Sequence, residues 1–350
     1  MRRNRVFLLS SSIVLLALAL TFSNVKTGRS AVAASDSKVT VHFIDVGQGD
    51  SILIDASGVE VLVDGGPTAA GNTVLSYLGG LDVTHISLMV ATHMHEDHIG
   101  GLITVLSSAI QVDEVIINNE SDTTPTYTQF MTLAKSHTLV AAQRGQVYSL
   151  TATASLTVFN PVQPLQFTDQ NENSVVMKLQ AGQTSFLLEG DASSGAEQSM
   201  ISSGLNLRSN VLKVGHHGSA YATSDAFLNS VQPTYAVISC GLNNPYGHPA
   251  PETVQRLLNH NVTAYGTYRS GTIIATTDGT TITFLDSPNP IAEFPTILMP
   301  SMLILVVLSA TILFRKKYPI HSQKPVERSF QSRKTMRYCG TQDARSPGFS

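Results

Sequence analysis

Apolar residues come in short β-branched runs along most of this chain, broken by polar segments that contain glycine. The first three runs predict a meander of strands at 39–45, 51–55 and 60–64. Further strands are predicted at 86–91, 114–117, 156–159, 174–179, 184–188, 211–214, 235–239, 272–276 and 281–285, and helices at 72–77, 126–135, 194–202, 224–229 and 251–259. Strands mixed with helices in this way predict an α/β sandwich, with two β-sheets packed face to face and helices outside.

An apolar segment near the amino terminus does not fit this pattern. A mainly apolar run at 6–22 follows three arginines and precedes the small-residue sequence Ala31-Val32-Ala33. A basic start, an apolar centre and a small-residue cleavage site are typical of secretory signals. Residues 1–34 are therefore expected to be a signal peptide or, if they are not cleaved, a signal anchor.

A second apolar segment lies near the carboxyl terminus. Residues 294–314 carry no charge and are followed by Arg315-Lys316-Lys317. About 20 apolar residues cross a bilayer as a helix, and basic flanks stay in the cytoplasm. We therefore expect a transmembrane helix at 294–314 and a basic cytoplasmic tail at 315–350. Residues 35–286 would then form one extracytoplasmic domain at the cell membrane, joined to the helix by a linker at 287–293.

The charges of the chain are divided between these segments. Residues 35–293 carry 8 basic and 23 acidic side chains, whereas the tail from 294 carries 9 basic and 2 acidic ones. A basic tail of this kind could rest against anionic lipid, but the pattern is more typical of a solvated flank that follows a membrane helix. An acidic domain lacks the positive surface with which proteins bind extended duplex nucleic acid. The charge pattern therefore argues against a duplex-binding role. Nothing in the sequence identifies a stable protein partner.

The most informative feature is a loop in which four potential metal ligands fall within six residues. In an extended segment, His93, His95 and Asp97 would project to one side, because successive side chains alternate. His98 has the opposite parity, so we expect the chain to turn there, using the freedom of the following Ile99-Gly100-Gly101. Three imidazoles and a carboxylate suit zinc or a similar divalent ion, and so many ligands could serve two adjacent ions.

Other residues of metal-binding or polar type follow predicted strands, where chemistry is often placed. They are Asp64, Asp191, His216, His217, Asn243 and His248. Asp191 follows a buried run and a glycine, a position from which its carboxylate could bridge two ions. Asp64 ends the third strand and is expected to position the metal loop through hydrogen bonds.

With these motifs in place, the chain resembles the metallo-β-lactamase superfamily and, more narrowly, the extracytoplasmic hydrolase domain of ComEC-type competence proteins. The similar residues cover about 39–285. They are His42-Phe43-Ile44-Asp45-Val46-Gly47-Gln48-Gly49-Asp50-Ser51, Val63-Asp64-Gly65-Gly66, the loop from His93 to Gly101, Leu188-Glu189-Gly190-Asp191, Lys213-Val214-Gly215-His216-His217-Gly218-Ser219 and the segment from Asn243 to Pro249.

The resemblance implies a site with two divalent metal ions. His93 and His95 would hold one ion, Asp97 and His98 the other, and Asp191 would bridge them. The remaining residues are assigned in the same way: His217 is favoured over His216 as the last ligand, Asp97 would orient the attacking water, His248 would donate a proton or contact a phosphate oxygen, and Asp64, His216, Ser219 and Asn243 would surround the ions or face the substrate.

The chain departs from the superfamily pattern at one ligand. Many members carry a further histidine between the metal loop and the bridging aspartate, but here that interval contains only His137, after a predicted helix. Asn171-Glu172-Asn173-Ser174 occupies the corresponding stretch. The first ion would then have only His93, His95 and Asp191 from the protein. Zinc is the expected metal, and weak occupancy or replacement by manganese is the alternative.

The leading functional hypothesis is an extracytoplasmic, metal-dependent phosphodiesterase or nuclease of the ComEC-like type, for which the resemblance implies DNA as the substrate. An alternative substrate is a phosphodiester of a cell-wall polymer, as in secreted relatives that release phosphorylcholine. A third hypothesis is a membrane-anchored binding module that has lost turnover, motivated by the missing histidine. The chain has no tryptophan and few clustered aromatic residues, so no base-stacking platform is evident.

Overall fold

The computed structural model describes residues 38–285 and 288–291. The chain separates into two units, 1–293 and 294–350, and all described residues belong to the first. The predicted leader, transmembrane helix and tail lie outside the described residues, as does part of the predicted linker. Residues 38–285 and 288–291 include no helix that is long and apolar enough to cross a membrane.

The described residues form fifteen strands and seven α-helices. In chain order the strands are β1 (Val39–Phe43), β2 (Ile52–Ala56), β3 (Glu60–Val63), β4 (His85–Ala91), β5 (Gln111–Ile117), β6 (Thr138–Ala141), β7 (Val147–Ser149), β8 (Ala154–Asn160), β9 (Val176–Ala181), β10 (Thr184–Leu188), β11 (Val211–Lys213), β12 (Tyr235–Ile238), β13 (Thr263–Gly266), β14 (Ile273–Thr277) and β15 (Ile282–Phe284). The helices are α1 (Gly71–Gly80), α2 (Glu96–Leu106), α3 (Pro125–Ala134), α4 (Ser194–Ser202), α5 (Asp225–Val231), α6 (Pro251–Asn259) and α7 (Thr267–Ser270).

These strands build two sheets. The first has the order β15-β14-β1-β2-β3-β4-β5-β6, and the second has the order β13-β12-β11-β10-β9-β8-β7. Parallel pairing runs from β3 to β6 in the first sheet and from β10 to β13 in the second. Because the carboxyl ends of parallel strands meet at one edge of a sheet, the loops that follow β3, β4, β10, β11 and β12 gather at one end of the molecule.

Alternation along the strands produces three apolar layers. Ile52 and Ile54 face a central core shared by both sheets, where they meet residues such as Phe186. Leu53, between them, faces outward and packs under α1, α2 and α3. The outer face of the second sheet is covered in the same way by α4, α5 and α6, with Phe227 among the buried side chains. The predicted sandwich of two packed sheets with outer helices is therefore confirmed.

The sequence prediction missed the helices α2 and α7 and the strands β6, β7 and β13. The chain was expected to turn at Ile99-Gly100-Gly101, and this was wrong: the turn occurs earlier, where α2 begins at Glu96. Asp97 therefore lies in the first turn of a helix, outside the extended segment. Gly100 and Gly101 disfavour a helix by about 1 kcal/mol each relative to alanine, which hides it in the sequence.

The two glycines of α2 permit close approach between backbones. A Cβ atom at Gly101 would lie 1.9 Å from the carbonyl oxygen of Gly65, and one at Gly100 would lie 2.3 Å from the backbone nitrogen of Thr68. The backbone N–H of Gly65 donates to the carbonyl of His98 at 2.8 Å. Glycine at these positions therefore allows the metal loop to lie directly against the segment that follows β3.

We expect Gly101→Ala to lower the free energy of unfolding by about 1–3 kcal/mol, since the new methyl group meets backbone that must shift. Gly79→Ala is the matched control: Gly79 is also helical, and its Cβ would meet no atom within 4 Å. That control should be neutral or stabilise by about 0.4–1 kcal/mol. Urea denaturation of the two variants tests this, and equal midpoints would contradict the packing argument.

Candidate metal centre

The side chains predicted to bind metal converge at the end of the sandwich where the parallel strands terminate. Asp191 lies at the centre of this group, three residues after β10 ends at Leu188, and is almost fully buried. Its Oδ1 atom is 3.2 Å from Nε2 of His98 and 3.3 Å from Nε2 of His217. Its Oδ2 atom is 3.9 Å from Nε2 of His93. The two oxygens of one carboxylate therefore face different imidazoles.

His93 and His95 form one side of the centre. Nε2 of His93 and Nδ1 of His95 lie 2.9 Å apart, with their rings in an edge-to-face arrangement. His95 is the extended residue that precedes α2, whereas His93 is fully buried. The stretch that replaces the superfamily's further histidine contributes Ser174, whose Oγ lies 3.4 Å from Nδ1 of His93 and accepts the N–H of Asp191 at 3.2 Å. This serine links the two ligands.

Asp97, His98 and His217 form the other side. Oδ2 of Asp97 is 3.3 Å from Nε2 of His217. Asp64 lies behind His98: its Oδ2 is 2.7 Å from Nδ1 of His98, and its carboxylate also accepts the N–H and hydroxyl of Thr92. The Nε2 atom of His98 is thereby left to face Asp191. Asp64 has a φ of 57°, a left-handed backbone that Asp adopts more readily than most residues.

Asp50, whose role was not predicted from the sequence, also reaches this centre. It lies in the turn between β1 and β2, is almost fully buried, and places Oδ1 3.3 Å from Nδ1 of His217. Its Oδ2 is 2.8 Å from the ammonium group of the fully buried Lys213. The same imidazole nitrogen is 3.0 Å from the carbonyl oxygen of Ser239. These contacts hold the His217 ring with Nε2 toward Asp97 and Asp191.

The local charges favour a cation between these side chains. Burial lowers the pKa of His98, but Asp191, Asp64 and Asp97 outweigh it and raise that pKa well above its ordinary value. Burial likewise opposes protonation of His217, and the neighbouring carboxylates again raise its pKa. Burial would raise the pKa of Asp191, yet His217 and His98 hold it well below the usual range. Metal ions would compete with these protons, so metal affinity should increase with pH.

Unsatisfied buried atoms indicate that the residues fit metal ions. Within residues 38–285, Nε2 of His98, Nε2 of His217, Oδ1 of Asp191 and Oδ1 of Asp50 are buried and make no hydrogen bond of good geometry. Buried polar atoms without partners are unusual and call for an explanation. The groups His93–His98–Asp191 and Asp97–His98–His217 each bring their ligand atoms within 4.8 Å of one another. Imidazole and carboxylate ligands at this spacing suit zinc or manganese.

A cavity of about 620 Å³ opens above the centre. Its lining includes His95, Asp97, Asp191, His216, His217 and His248. Burial and the charges of His217 and His216 lower the pKa of His248 to about 4, so its ring is neutral at neutral pH. Among the described residues, no lysine or arginine lines this cavity.

The rim of the cavity carries an exposed aromatic residue that the sequence analysis missed. Tyr246 is 67% exposed and stacks on the His248 ring, with centroids 5.8 Å apart and planes at 24°. Asn244 braces this loop: its Nδ2 donates to the carbonyls of Gly241 and His248, and its Oδ1 accepts the N–H groups of Tyr246 and His248. The sequence Asn-Asn-Pro-Tyr-Gly-His indicated a turn but not the direction of the tyrosine.

Asn243 and Ser219, which were expected to surround the ions or face the substrate, do not line the cavity. Asn243 is exposed, with a φ of 55°, and its neighbour Asn244 makes the bracing contacts instead. Ser219 is buried: its N–H donates to the carbonyl of His216, and its own carbonyl accepts the hydroxyl of Thr253. Ser219 therefore stabilises the turn that carries the paired histidines from outside the cavity.

Comparisons with known proteins give a family match for this chain. Residues 44–242 match the family described as "Metallo-beta-lactamase superfamily". The chain is 30% identical over 257 residues to "ComE operon protein 3" of Bacillus subtilis (strain 168), covering 68% of this chain and 33% of that protein. It is 31% identical over 245 residues to "Competence protein ComA" of Neisseria gonorrhoeae, covering 69% and 33% respectively. The chain thus spans about a third of the length of these relatives.

Among solved structures, the chain is similar to Igni18, a metallo hydrolase from Ignicoccus hospitalis KIN4/I, with a TM-score of 0.47 and 16% identity. The aligned region covers 67% of this chain and 98% of that structure.

Proposed function

Because this chain belongs to the metallo-β-lactamase superfamily, we propose that it is a metal-dependent hydrolase of phosphodiesters, with single nucleic-acid strands as the leading substrate class. One observation carries the proposal: the carboxylate of Asp191 lies between two groups of ligands at the floor of an open cavity. The unsatisfied buried atoms at this floor support bound ions, which the enzyme needs and an inactive binding module could do without.

Two groups of side chains would hold the ions. His93, His95 and Asp191 would hold the first ion, and Asp97, His98, His217 and Asp191 the second. Bound divalent ions would lower the pKa of water to near neutrality and neutralise negative charge on the phosphodiester. Asp64 and Asp50 would keep His98 and His217 in orientation from behind.

Other residues of the cavity would act on the substrate and the water. Asp97 lies at the cavity floor, where its carboxylate would accept a hydrogen bond from the attacking water. His248 would donate an N–H hydrogen bond to a non-bridging phosphate oxygen. The low pKa of His248 favours this contact over proton transfer to the leaving group, because a neutral imidazole is a very weak acid.

Two observations bear on the substrate. Tyr246 offers an exposed ring beside the centre, and base stacking on such a ring contributes about 1–3 kcal/mol. No lysine or arginine of the described chain lines the cavity, so a long anionic backbone gains little there. The favoured substrate is therefore a single nucleic-acid strand that is bound mainly at one nucleotide. The competence proteins to which the chain is similar make nucleic acid the natural first choice.

A choline-bearing wall phosphodiester is the second candidate. Tyr246 and the carboxylate of Glu96, which also lines the cavity, could attract a quaternary ammonium group. We keep the extracytoplasmic side of the cell membrane as the proposed location, because a basic leader and a basic tail flank the domain in the sequence.

Three p-nitrophenyl phosphodiesters with the same leaving group test this function. They are thymidine 5′-(p-nitrophenyl phosphate), p-nitrophenyl phosphorylcholine and methyl p-nitrophenyl phosphate. We expect the full chain to lose hydrolysis in EDTA and regain it with Zn²⁺ or Mn²⁺. Tyr246→Leu should lower kcat/KM about 10-fold for the thymidine ester and leave the methyl ester unchanged.

Leu242→Ala is the matched control, because Leu242 is exposed in the same part of the chain but does not line this cavity. Preference for the choline ester would shift the assignment to wall polymers. If the chain loaded with two ions hydrolyses none of the three esters, the enzyme hypothesis is wrong and the binding-module hypothesis remains.

A further inference from the structure

The paired histidines His216 and His217 lie in one tight turn but face different oxygens of Asp191. Nε2 of His217 is 3.3 Å from Oδ1, the oxygen that also faces His98. Nε2 of His216 is 3.7 Å from Oδ2, the oxygen that also faces His93 at 3.9 Å. Asp191 therefore divides the imidazoles into two sets, and His216 belongs to the set of His93.

The two distances from Oδ2 of Asp191 are short enough for a shared ion, but the ligand atoms of His93, His216 and Asp191 do not all lie within 4.8 Å of one another, so His216 would have to move toward His93. Two atoms that each bind one ion at about 2.1 Å can be at most about 4.2 Å apart. The contacts of Oδ2 with His93 and with His216 both fall below that limit. His216 is also partly exposed, with 27% of its side chain accessible at the cavity wall, so it can move toward an ion without disrupting the core.

The first set otherwise lacks a ligand. His93, His95 and Asp191 supply three, and the only histidine between the metal loop and Asp191 is His137. The Nδ1 atom of His137 is 2.9 Å from the carbonyl of Val112, near the beginning of β5 and thus at the opposite end of that strand from the site. His137 therefore cannot take the position of the missing histidine.

The backbone conformation of the turn directs the two histidine side chains toward different oxygens of Asp191. His216 and His217 have φ angles of 47° and 54°, a left-handed conformation that is uncommon outside glycine. Such strain persists where the surroundings enforce it, and it concentrates at functional sites. The His216 N–H donates to the carbonyl of Gly190, the carbonyl of His216 accepts from Ser219, and Ser193 Oγ lies 3.4 Å from Nδ1 of His216. The Nε2 atom is thereby turned toward Asp191.

We propose that His216 binds the first metal ion through Nε2, together with His93, His95 and Asp191, and so replaces the histidine that is missing from the earlier part of the sequence. This inference rests on the two-ion centre of the proposed function. It assigns His216 to the divalent ion, whereas the sequence analysis placed it beside the ions or toward the substrate.

Equilibrium metal binding tests the assignment independently of turnover. The purified full chain would be stripped with chelator and titrated with Zn²⁺ against a chromophoric competitor, and the Co²⁺ form would be followed by its visible absorption. His216→Asn suits the left-handed backbone, because Asn adopts it readily. We expect this variant to bind one ion with wild-type affinity and the other at least about 10-fold more weakly, with a changed Co²⁺ spectrum.

Three further variants calibrate the result. His93→Asn should weaken the same ion, and the double variant should weaken that ion further while the other ion keeps its wild-type affinity. His248→Asn removes another imidazole of the cavity wall, one whose ring lies 5.6 Å from that of His216, and should leave both affinities unchanged. Wild-type affinity for both ions in His216→Asn, with a loss in His93→Asn, would overturn the assignment. A wild type that binds two ions but hydrolyses no phosphodiester would refute the proposed function and leave this assignment standing.

Discussion

Replacing Asp191 with asparagine is expected to abolish hydrolysis, with kcat/KM reduced by more than about 100-fold and fewer than two ions retained per chain. Asp191 is nearly fully buried, and its two oxygens face His98 and His217 on one side and His93 on the other. Changes to groups that only support metal ligands already reduce affinity or activity about 10- to 100-fold. Loss of the carboxylate that both ions would share should exceed that range.

The measurement combines elemental analysis of bound metal with hydrolysis of the p-nitrophenyl esters. Asp113→Asn is the matched control, because Asp113 is an exposed acid that pairs with His85. The control should retain the metal content and rate of the wild type. A variant at Asp191 that keeps two ions and loses less than 10-fold in kcat/KM would show that the carboxylate does not bridge the centre.

Lys213→Met is expected to lower the free energy of unfolding by about 3–5 kcal/mol. The ammonium group of Lys213 is fully buried, 2.8 Å from Oδ2 of Asp50, and it also donates to the carbonyl of Val214. Removal of the lysine leaves the charge of Asp50 buried without its cation, next to the His217 ring. The variant should therefore also weaken metal binding at the His217 side of the centre.

Urea denaturation measures the stability effect, with Lys135→Met as the control. Lys135 is exposed, and its replacement should change stability by no more than about 0.5 kcal/mol. In the wild type, burial would raise the pKa of Asp50, but Lys213 and His217 outweigh it and lower that pKa. The stabilisation is thus present above the ordinary carboxyl pKa and is lost as the pH falls through the folded-state value. Equal midpoints for the two lysine variants would refute the importance of this pair.

The sequence predicted the layered fold because strands and helices differ in local periodicity. Ile52, Leu53 and Ile54 alternate between two cores, as a strand that is buried on both faces must. The helix that contains Gly100 and Gly101 escaped prediction because glycine is a poor helix former, and the close approach of these glycines to Gly65 and Thr68 involves residues that are distant in the sequence. The low helix propensity of the two glycines disfavours that helix, and tertiary packing outweighs this local cost.

For the site, the sequence by itself determined which residues could bind metal, because ligand chemistry belongs to residue type. The cluster of His93, His95, Asp97 and His98, and the aspartate that ends a buried run, were evident from spacing alone. Only the tertiary structure decided how these side chains are oriented. Asp191 meets His93 across about 100 residues of chain, so no local pattern records which of its oxygens faces which imidazole.

Dependence on contacts that are distant in the sequence also explains the remaining differences between the sequence prediction and the structure. His216 and His217 are adjacent in the sequence, and it is the left-handed backbone of their turn that sends them to opposite oxygens of Asp191. Asp50 and Tyr246 carried no signal beyond their residue type, and loop geometry placed one under the metal centre and the other at its rim. Residue identity fixes which chemistry is available. The direction of each side chain follows from backbone angles and distant packing, which only the folded chain defines.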